Sequence, residues 1–215
     1  MLKIQKFVFN PFSENTYLTW DEESKDAAII DPGCYDDNEC SELKNFVENA
    51  KMNLLYIINT HCHIDHICGN AFVKNTFGSK LYVPEKDLFL FHLMEEQANM
   101  FNVKINPSPE PDFLIVDGGE IKLGLSPGKF IFTPGHSPGE FCLYFEQEKI
   151  CFTGDVLFKE SIGRTDLWDG NYDELMNSLM KKLLVLPDDV TIYPGHESFS
   201  TIGYERKNNP FLNGI

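Results

Sequence analysis

Three histidines and one aspartate lie within six residues at the end of an apolar segment. Residues 54–58 are β-branched, aromatic or leucine, and so short an apolar run predicts a buried strand. The ligand-type side chains that follow are His61, His63, Asp65 and His66. If the extended conformation continues, His61 and His63 point to one side and Cys62 to the other. A turn can then aim Asp65 and His66 at a second position, and the whole group predicts a metal site.

Ligand-type residues beside glycine also follow three later apolar segments. The sequences are Thr133-Pro134-Gly135-His136, Thr153-Gly154-Asp155 and Tyr193-Pro194-Gly195-His196. Because glycine lets the backbone turn sharply, these side chains can approach a shared point. We therefore predict that five histidines and two aspartates meet at strand ends. His92 has no comparable motif around it and is left outside the site.

The number of candidate ligands indicates two metal ions. One four-coordinate ion would leave three of the seven side chains unused, whereas two ions that share a carboxylate and a water use them all. The assignment places His61, His63 and His136 on one ion, Asp65, His66 and His196 on the other, and Asp155 between them. Nitrogen and oxygen ligands suit zinc first, and iron or manganese also fit. Cys62 and Cys68 are interpreted as structural.

Hydrophobic periodicity predicts the strands and helices that position these side chains. Predicted strands cover residues 2–9, 15–20, 27–31, 54–58, 81–83, 114–116, 121–125, 129–133, 141–145, 150–153 and 190–193. Predicted helices cover residues 37–50, 67–77, 84–101 and 172–184. The proline-rich residues 106–111 predict an exposed connector, with a lid as the alternative. Strands interrupted twice by helices indicate an α+β fold with sheets inside and helices outside.

Composition limits the class of protein. With 42% hydrophobic and 13% aromatic residues, the 215 residues can form one domain, residues 1–215, with a packed core. A formal net charge of −15 argues against nucleic-acid or anionic-membrane partners, since phosphate binding depends on Lys and Arg. We expect no membrane span and no signal peptide. Six cysteines without C-x-x-C spacing indicate free thiols in a reducing cytoplasm.

The order of the ligands resembles the motif series of the metallo-β-lactamase superfamily. The series is His61-x-His63-x-Asp65-His66, then His136, Asp155 and His196, and it covers nearly the whole chain. The resemblance implies a four-layer αβ/βα sandwich of two mixed β-sheets flanked by helices, with the metals at the sheet edge. Asp155 in place of a second-site cysteine is similar to the hydrolase and glyoxalase branches. The tail from Thr201 to Phe211 is similar to that of single-domain glyoxalase II-like hydrolases.

The resemblance implies hydrolysis of a thioester, as in hydroxyacylglutathione hydrolases. Metal-bound hydroxide is the expected nucleophile, because a metal lowers the pKa of its water towards neutrality, and a thiolate leaves without a strong acid. Asp65 and Asp155 would orient this nucleophile as ligands. Arg164 would hold a substrate carboxylate or orient Asp166, with a structural salt bridge as the alternative.

The natural substrate is left open beyond a small-molecule thioester. Hydroxyacylglutathione hydrolases proper carry a further C-terminal helical domain that supplies much of the glutathione site, and this sequence ends at Ile215. We therefore expect a smaller or different thiol carrier as an alternative to glutathione. The acyl group and the oligomeric state stay undetermined at this point.

Other functions compete with the hydrolase. In a persulfide dioxygenase, His61, His136 and Asp155 would form a two-histidine, one-carboxylate face on a single iron, which suits O₂ chemistry. Residues 161–166 resemble that branch as well as the glyoxalase II-like branch. The net charge disfavours a nucleic-acid-processing member, and the complete ligand set disfavours a non-catalytic protein. Two ions per chain would favour the hydrolase, and one iron would favour the dioxygenase.

Overall fold

A computed structural model describes residues 1–212, and two six-stranded β-sheets account for most of its strands. The first sheet contains, in spatial order, β1 (Leu2–Phe9), β2 (Glu14–Asp21), β3 (Asp26–Ile30), β4 (Asn53–Ile58), β5 (Lys80–Pro84) and β6 (Phe113–Ile115). The second contains β7 (Glu120–Leu123), β8 (Ser126–Phe132), β9 (Phe141–Phe145), β10 (Ile150–Gly154), β13 (Thr191–Pro194) and β14 (Ser200–Thr201). Between β10 and β13 in the chain, β11 (Leu157–Phe158) and β12 (Ser161–Ile162) form a separate hairpin. Both large sheets combine parallel and antiparallel pairs, so both are mixed.

The helices lie in the connections between strands. They are α1 (Asp37–Asn49), α2 (Ile64–Ile67), α3 (Asn70–Phe77), α4 (Leu88–His92), α5 (Met94–Phe101), α6 (Tyr172–Ser178) and α7 (Ile202–Asn208). A 3₁₀ turn over Glu85–Asp87 precedes α4, and a π-helical segment over Leu179–Leu183 continues α6. Asp36 caps α1, because its side chain accepts the amides of Asn38 and Glu39. In the part of the chain described, no helix has both the length and the hydropathy needed to cross a bilayer.

Three hydrophobic clusters lie between four layers of secondary structure. The first packs one face of the first sheet against helices, for example Ile57 against Leu43 of α1. The second lies between the sheets and joins Ile30 to Phe152. The third packs the outer face of the second sheet against α6 and α7. This succession of helix, sheet, sheet and helix confirms the predicted sandwich of two mixed sheets, in which each sheet buries both faces.

Two predicted helices differ from the structure. The predicted helix 67–77 begins earlier and is divided, since α2 carries Asp65 and His66 and ends before Gly69. The Gly69 amide donates to the Pro32 carbonyl at 2.7 Å, and a Cβ at Gly69 would lie 2.5 Å from the Pro32 oxygen. The chain therefore bends where it crosses the β3–α1 loop. Likewise, the helix predicted over 84–101 divides into the 3₁₀ turn, α4 and α5.

Hydrophobic periodicity did not predict the short elements in the last third of the chain. Strands β11, β12 and β14 contain two residues each, too few for a period to be visible. Helix α7 was also missed, although Thr201 caps it by accepting the amide of Tyr204. The remaining predicted strands and helices are confirmed, with ends displaced by one to three residues.

Candidate metal centre

The carboxyl-terminal ends of four strands meet at one edge of the sandwich. β4 is followed by His61, His63, Asp65 and His66, β8 by His136, β10 by Asp155, and β13 by His196. Several hydrogen bonds join the sheets at this edge; for example, the Phe141 amide donates to the Thr60 carbonyl at 2.9 Å, and the Tyr17 hydroxyl donates to the Pro194 carbonyl at 2.8 Å. These bonds fix the strand ends relative to one another.

Among the described residues, three groups of three potential ligands form at this edge, and two of them are the groups assigned from the sequence; the third is Asp31, His61 and His66. In the first, the ligand atoms of His61, His63 and His136 all lie within 4.8 Å of one another, and His63 Nδ1 is 2.8 Å from His136 Nε2. In the second, Asp65 Oδ2 lies 3.2 Å from His196 Nε2 and 3.5 Å from His66 Nε2. The structure thus brings together side chains that are remote in the sequence.

Asp155 lies between the two groups. Its Oδ2 is 3.6 Å from the Nε2 atoms of both His136 and His196, and its Oδ1 is 3.6 Å from His66 Nε2. One carboxylate therefore faces nitrogens from both groups. This is the position that a ligand shared by two ions requires.

Hydrogen bonds on the outer side of three of the imidazoles fix their tautomers. The Thr60 hydroxyl donates to Asp31 Oδ2 at 2.7 Å, so it accepts from His61 Nδ1 at 3.1 Å. His66 Nδ1 donates to Asp31 at 3.1 Å, and His136 Nδ1 donates to the Arg164 carbonyl at 2.8 Å. The Nε2 atoms of these three histidines therefore direct lone pairs into the site.

Burial and charge shape the protonation of the site. Burial lowers the pKa of His61, His63 and His136, which favours the neutral imidazole that a metal needs. For Asp65, burial opposes ionisation, but His66 and His196 outweigh it and hold the carboxyl pKa well below its usual range. The carboxylates in turn raise the pKa of His66 and His196 against the effect of burial. A cation between these groups would balance the carboxylate charge in place of protons on His66 and His196, so that both imidazoles could bind it in the neutral form.

The residues fit a binuclear metal centre. Within residues 1–212, His61 Nε2, His66 Nε2 and Asp155 Oδ1 are buried and have no hydrogen-bond partner. Unsatisfied buried polar atoms are costly unless something binds them, and these atoms converge on the two groups described above. Imidazole and carboxylate donors suit divalent ions such as zinc, iron or manganese.

The sequence reasoning missed several buried residues that support the centre. Asp31 serves both Thr60 and His66, and Glu140 accepts the Asp155 amide at 2.6 Å. Asp87 joins two ligand-bearing loops, because it accepts the Cys62 amide, the Ser137 hydroxyl and the Gly139 amide. Burial raises the pKa of Asp87 to about 6. Asp31 lies in the turn Asp31-Pro32-Gly33, and this turn motif is the only sequence feature that marks any of the three residues. The sequence around Glu140 and Asp87 has no feature that indicates a role at the site.

The side chains of three other residues considered from the sequence lie outside the two ligand groups. The Arg164 guanidinium is exposed and pairs with both carboxylate oxygens of Asp166 at 2.6 and 2.8 Å, while its carbonyl orients His136. His92 is exposed, 3.6 Å from Glu110 and outside the centre. Cys62 is fully buried in the hydrophobic cluster beside the first sheet. Arg164 thus has a positioning contact that its sequence context did not reveal.

A cavity of about 380 Å³ opens onto the centre. Phe12, Phe101 and Trp168 form an aromatic wall on one side of it, with ring centroids 5.4 Å apart for Phe12 and Phe101 and 6.1 Å apart for Phe101 and Trp168. The Trp168 ring also lies 5.3 Å from that of His63. Arg164 lines the same cavity. The centre is therefore accessible to a small molecule that has an apolar part.

Replacement of Gly195 by alanine is expected to weaken metal binding at least about tenfold, as loss of a correctly held ligand does. A Cβ at this position would overlap Asp155 Oδ1 and lie 2.6 Å from His66 Cε1. Competition with a chromogenic chelator measures the affinity. Gly78→Ala is the control, because Gly78 has φ +71° with no atom within 4 Å in the described chain, so its strain is local. Wild-type metal affinity in Gly195→Ala would contradict this reading of the geometry.

The fold and the centre define the class of protein. The chain belongs to the metallo-beta-lactamase superfamily, whose family model matches residues 9–196. This membership agrees with the two mixed sheets and with the position of the histidines and aspartates at the sheet edge. The family expected from the motif series is therefore confirmed.

Three relatives place the chain more closely. It is 40% identical to the hydroxyacylglutathione hydrolase GloC of Haemophilus influenzae over 214 residues, which are 99% of each protein. It is 32% identical to the BLEG-1 B3 metallo-beta-lactamase, with a TM-score of 0.89 over 100% of both chains. It is also 32% identical to TTHA1623, solved in a di-iron-bound form, with a TM-score of 0.86 over 97% of this chain and 100% of that one. These likenesses support a metal-binding hydrolase.

Proposed function

We propose that this protein hydrolyses a small-molecule thioester, as a glyoxalase II-like enzyme. The observation that carries the proposal is the pair of ligand groups with Asp155 between them at the floor of an open cavity. When bound there, two divalent ions would supply hydroxide at neutral pH and polarise a carbonyl group. The likeness to GloC over 99% of both chains supports the same reaction class.

The chain's own residues would prepare this reaction. His61, His63 and His136 offer neutral nitrogens to one position, and Asp65, His66 and His196 offer one oxygen and two nitrogens to the other. Asp155 contacts both groups and would orient the nucleophile. The aromatic wall would bind the apolar part of the substrate and exclude water from the reacting carbonyl.

The residues that line the cavity bear on which leaving group the site favours. Apart from the candidate metal ligands, the charged side chains of the described lining are Arg164 and Glu197, and both are exposed; the lining offers no lysine, tyrosine or cysteine as an acid. An amine must be protonated as it departs, whereas a thiolate, with a parent thiol pKa of about 8.5, does not need this. The lining therefore favours a thioester over an amide.

Arg164 is proposed to bind a carboxylate or hydroxyl of the substrate. It lies at the cavity and already holds Asp166 through two parallel hydrogen bonds, a geometry that also fits a substrate carboxylate. An anionic substrate group would then replace Asp166 on the guanidinium. No membrane or nucleic-acid partner is proposed, consistent with the net charge of −15.

The proposal is tested with zinc-loaded protein and a panel of acyl-thioesters that includes S-lactoylglutathione. Release of free thiol is followed with a chromogenic thiol reagent, and metal per chain is measured by elemental analysis. We expect two ions per chain and thiol release that stops when a chelator removes them. A doubly loaded protein that is inactive on every thioester, or that prefers a β-lactam, would refute the assignment.

The same experiment separates the second candidate, a persulfide dioxygenase. His61, His136 and Asp155 could form its iron site, and Asp155 Oδ2 lies 3.6 Å from His136 Nε2. Against it stands the second, complete group of Asp65, His66 and His196, which a single ion would leave unused. One iron per chain together with oxygen uptake on a persulfide would favour the dioxygenase.

Replacement of Trp168 by alanine is expected to raise KM for a thioester with an apolar acyl group about tenfold, which corresponds to about 1.4 kcal/mol of lost apolar contact. The value of kcat should change little, because the wall contacts substrate and transition state alike. The backbone of Trp168 is held at φ +30°, and its ring packs against the rings of His63 and Phe101. Phe199→Ala, an exposed aromatic outside the cavity, is the control. An unchanged KM would remove the wall from substrate binding.

A further inference from the structure

A second cavity contains thiols that the proposed reaction does not use. Its volume is about 220 Å³, and it lies beside the loop between β3 and α1. Cys34, Cys40 and Cys68 line it together with the cationic Lys104. None of the seven candidate metal ligands belongs to the lining found in the described residues. The cavity is therefore a separate feature of the molecule.

Two of these thiols are neighbours in the lining. Cys34 faces the cavity from the loop and Cys40 from the first turn of α1, and each thiol shifts the pKa of the other. A disulfide requires the sulfur atoms to approach to about 2.05 Å, which two thiols on one cavity can reach by a local movement of the loop. Both cysteines are reduced in this structure. The pair is thus placed for cross-linking within one molecule.

The two thiols differ in a way that suits a reactive and a resolving cysteine. Cys34 is buried, with 2% of its surface exposed, whereas Cys40 is partly exposed at the cavity. The neighbouring Cys34 thiol lowers the pKa of Cys40 against the opposing effects of burial and of nearby carboxylates, and the Cys40 thiol raises the pKa of Cys34. A small oxidant that enters the cavity therefore meets Cys40 first.

We propose that Cys34 and Cys40 are a modification site, at which hydrogen peroxide forms a reversible intramolecular disulfide. The Cys40 thiolate attacks one peroxide oxygen, the O–O bond breaks, and the departing hydroxide takes up a proton to become water. The Cys34 thiol then attacks the sulfenic sulfur of Cys40, the S–O bond breaks, and a second water leaves. The two thiols lose two electrons in total and peroxide gains them. A dithiol reductant reverses the change.

The position of the pair connects it to the candidate metal centre. Cys34 follows Gly33, whose carbonyl accepts the Asn10 side-chain amide at 3.1 Å. The same amide group donates to the Asp65 carbonyl at 2.9 Å. A disulfide that pulls Cys34 towards α1 would disturb this bridge to the loop of Asp65. We therefore expect oxidised protein to release metal faster than reduced protein.

Tryptic digestion offers a direct measurement. Cleavage after Lys25 and Lys44 places Cys34 and Cys40 in one peptide, residues 26–44, with no other cysteine. Zinc-loaded protein is treated with hydrogen peroxide, denatured, alkylated with iodoacetamide and digested. We expect peptide 26–44 to lose the mass of two hydrogens and to carry no alkyl group. Dithiothreitol before alkylation should restore two alkyl groups.

The chain contains a matched control. Cys142 and Cys151 are likewise neighbours, on the paired strands β9 and β10, but both are fully buried, and trypsin separates them into residues 130–149 and 150–159. They should stay reduced at a peroxide dose that closes the Cys34–Cys40 pair. A cross-link between these two peptides at that dose, or a peptide 26–44 that stays alkylated or carries only sulfinic acid, would overturn the proposal.

Single variants test the roles and the connection to the centre. Cys34→Ser should leave Cys40 to oxidise to an acid without a disulfide, and Cys40→Ser should leave Cys34 alkylatable. Metal release to a chelator is then compared for peroxide-treated wild type and Cys40→Ser treated in the same way. Faster release in the wild type supports the connection, and equal rates would overturn that part of the inference. Neither readout depends on thioesterase activity.

Discussion

Asp155→Ala is expected to reduce thiol release on the order of a thousandfold or more, the range found when a whole catalytic group is lost. Asp155 is the one side chain of the described site whose oxygens lie within 3.6 Å of nitrogens from both ligand groups. In the proposed two-metal centre, its loss would remove the shared ligand and one negative charge between the two cations. Metal content should fall below two ions per chain, which elemental analysis measures independently of activity.

Two further variants define the cause of that loss. Asp155→Asn keeps the size of the side chain and one oxygen but removes the charge, and we expect it to remain severely impaired. Asp189→Ala removes an exposed carboxylate that pairs with Lys149 on the surface and should retain wild-type activity and metal content. Full activity in Asp155→Asn with both metals bound would show that bridging by a carboxylate is not required.

Glu140→Ala is expected to weaken metal binding by about 10- to 100-fold, as loss of a residue that orients ligands typically does. Glu140 is fully buried, accepts the Asp155 amide at 2.6 Å and lies 3.6 Å from His61 Nδ1. Alanine would leave the amide of Asp155 without this acceptor and open space beside His61. Both consequences reach ligands of the centre, so Glu140 is a positioning residue. Chelator competition on the purified variant measures the effect.

Glu140→Gln distinguishes positioning from general stability. Burial, followed by the charge of Asp155, raises the pKa of Glu140 well above its ordinary value, so glutamine resembles the protonated side chain in shape and charge. Its oxygen can still accept the Asp155 amide, and we expect metal affinity near that of the wild type. A residue that only filled space would lower the melting temperature of Glu140→Ala without changing metal affinity. That pattern would contradict the positioning role.

The sequence by itself determined where the candidate ligands stand along the chain. His61, His63, Asp65 and His66 form a local pattern after an apolar strand, and each later ligand also follows a strand and a glycine. Such signals are readable because strand periodicity and glycine turns depend on neighbouring residues. The same local pattern separates His61 and His63 from Asp65 and His66, whereas the tertiary structure places His136 with the first pair and His196 with the second.

Only the tertiary structure decided which residues support those ligands. Glu140 reaches Asp155 because β9 and β10 are neighbours in one sheet, and it reaches His61 because the two sheets pack face to face. Asp87 joins the loops of Cys62 and Ser137, which lie 25 and 50 positions away from it in the sequence. The aromatic wall and the cavity that Cys34 and Cys40 share likewise depend on loops folding back onto the sandwich. Hydrogen bonds between distant residues produce no periodic pattern in a sequence. The residues that support the ligands can therefore be identified only from the three-dimensional structure.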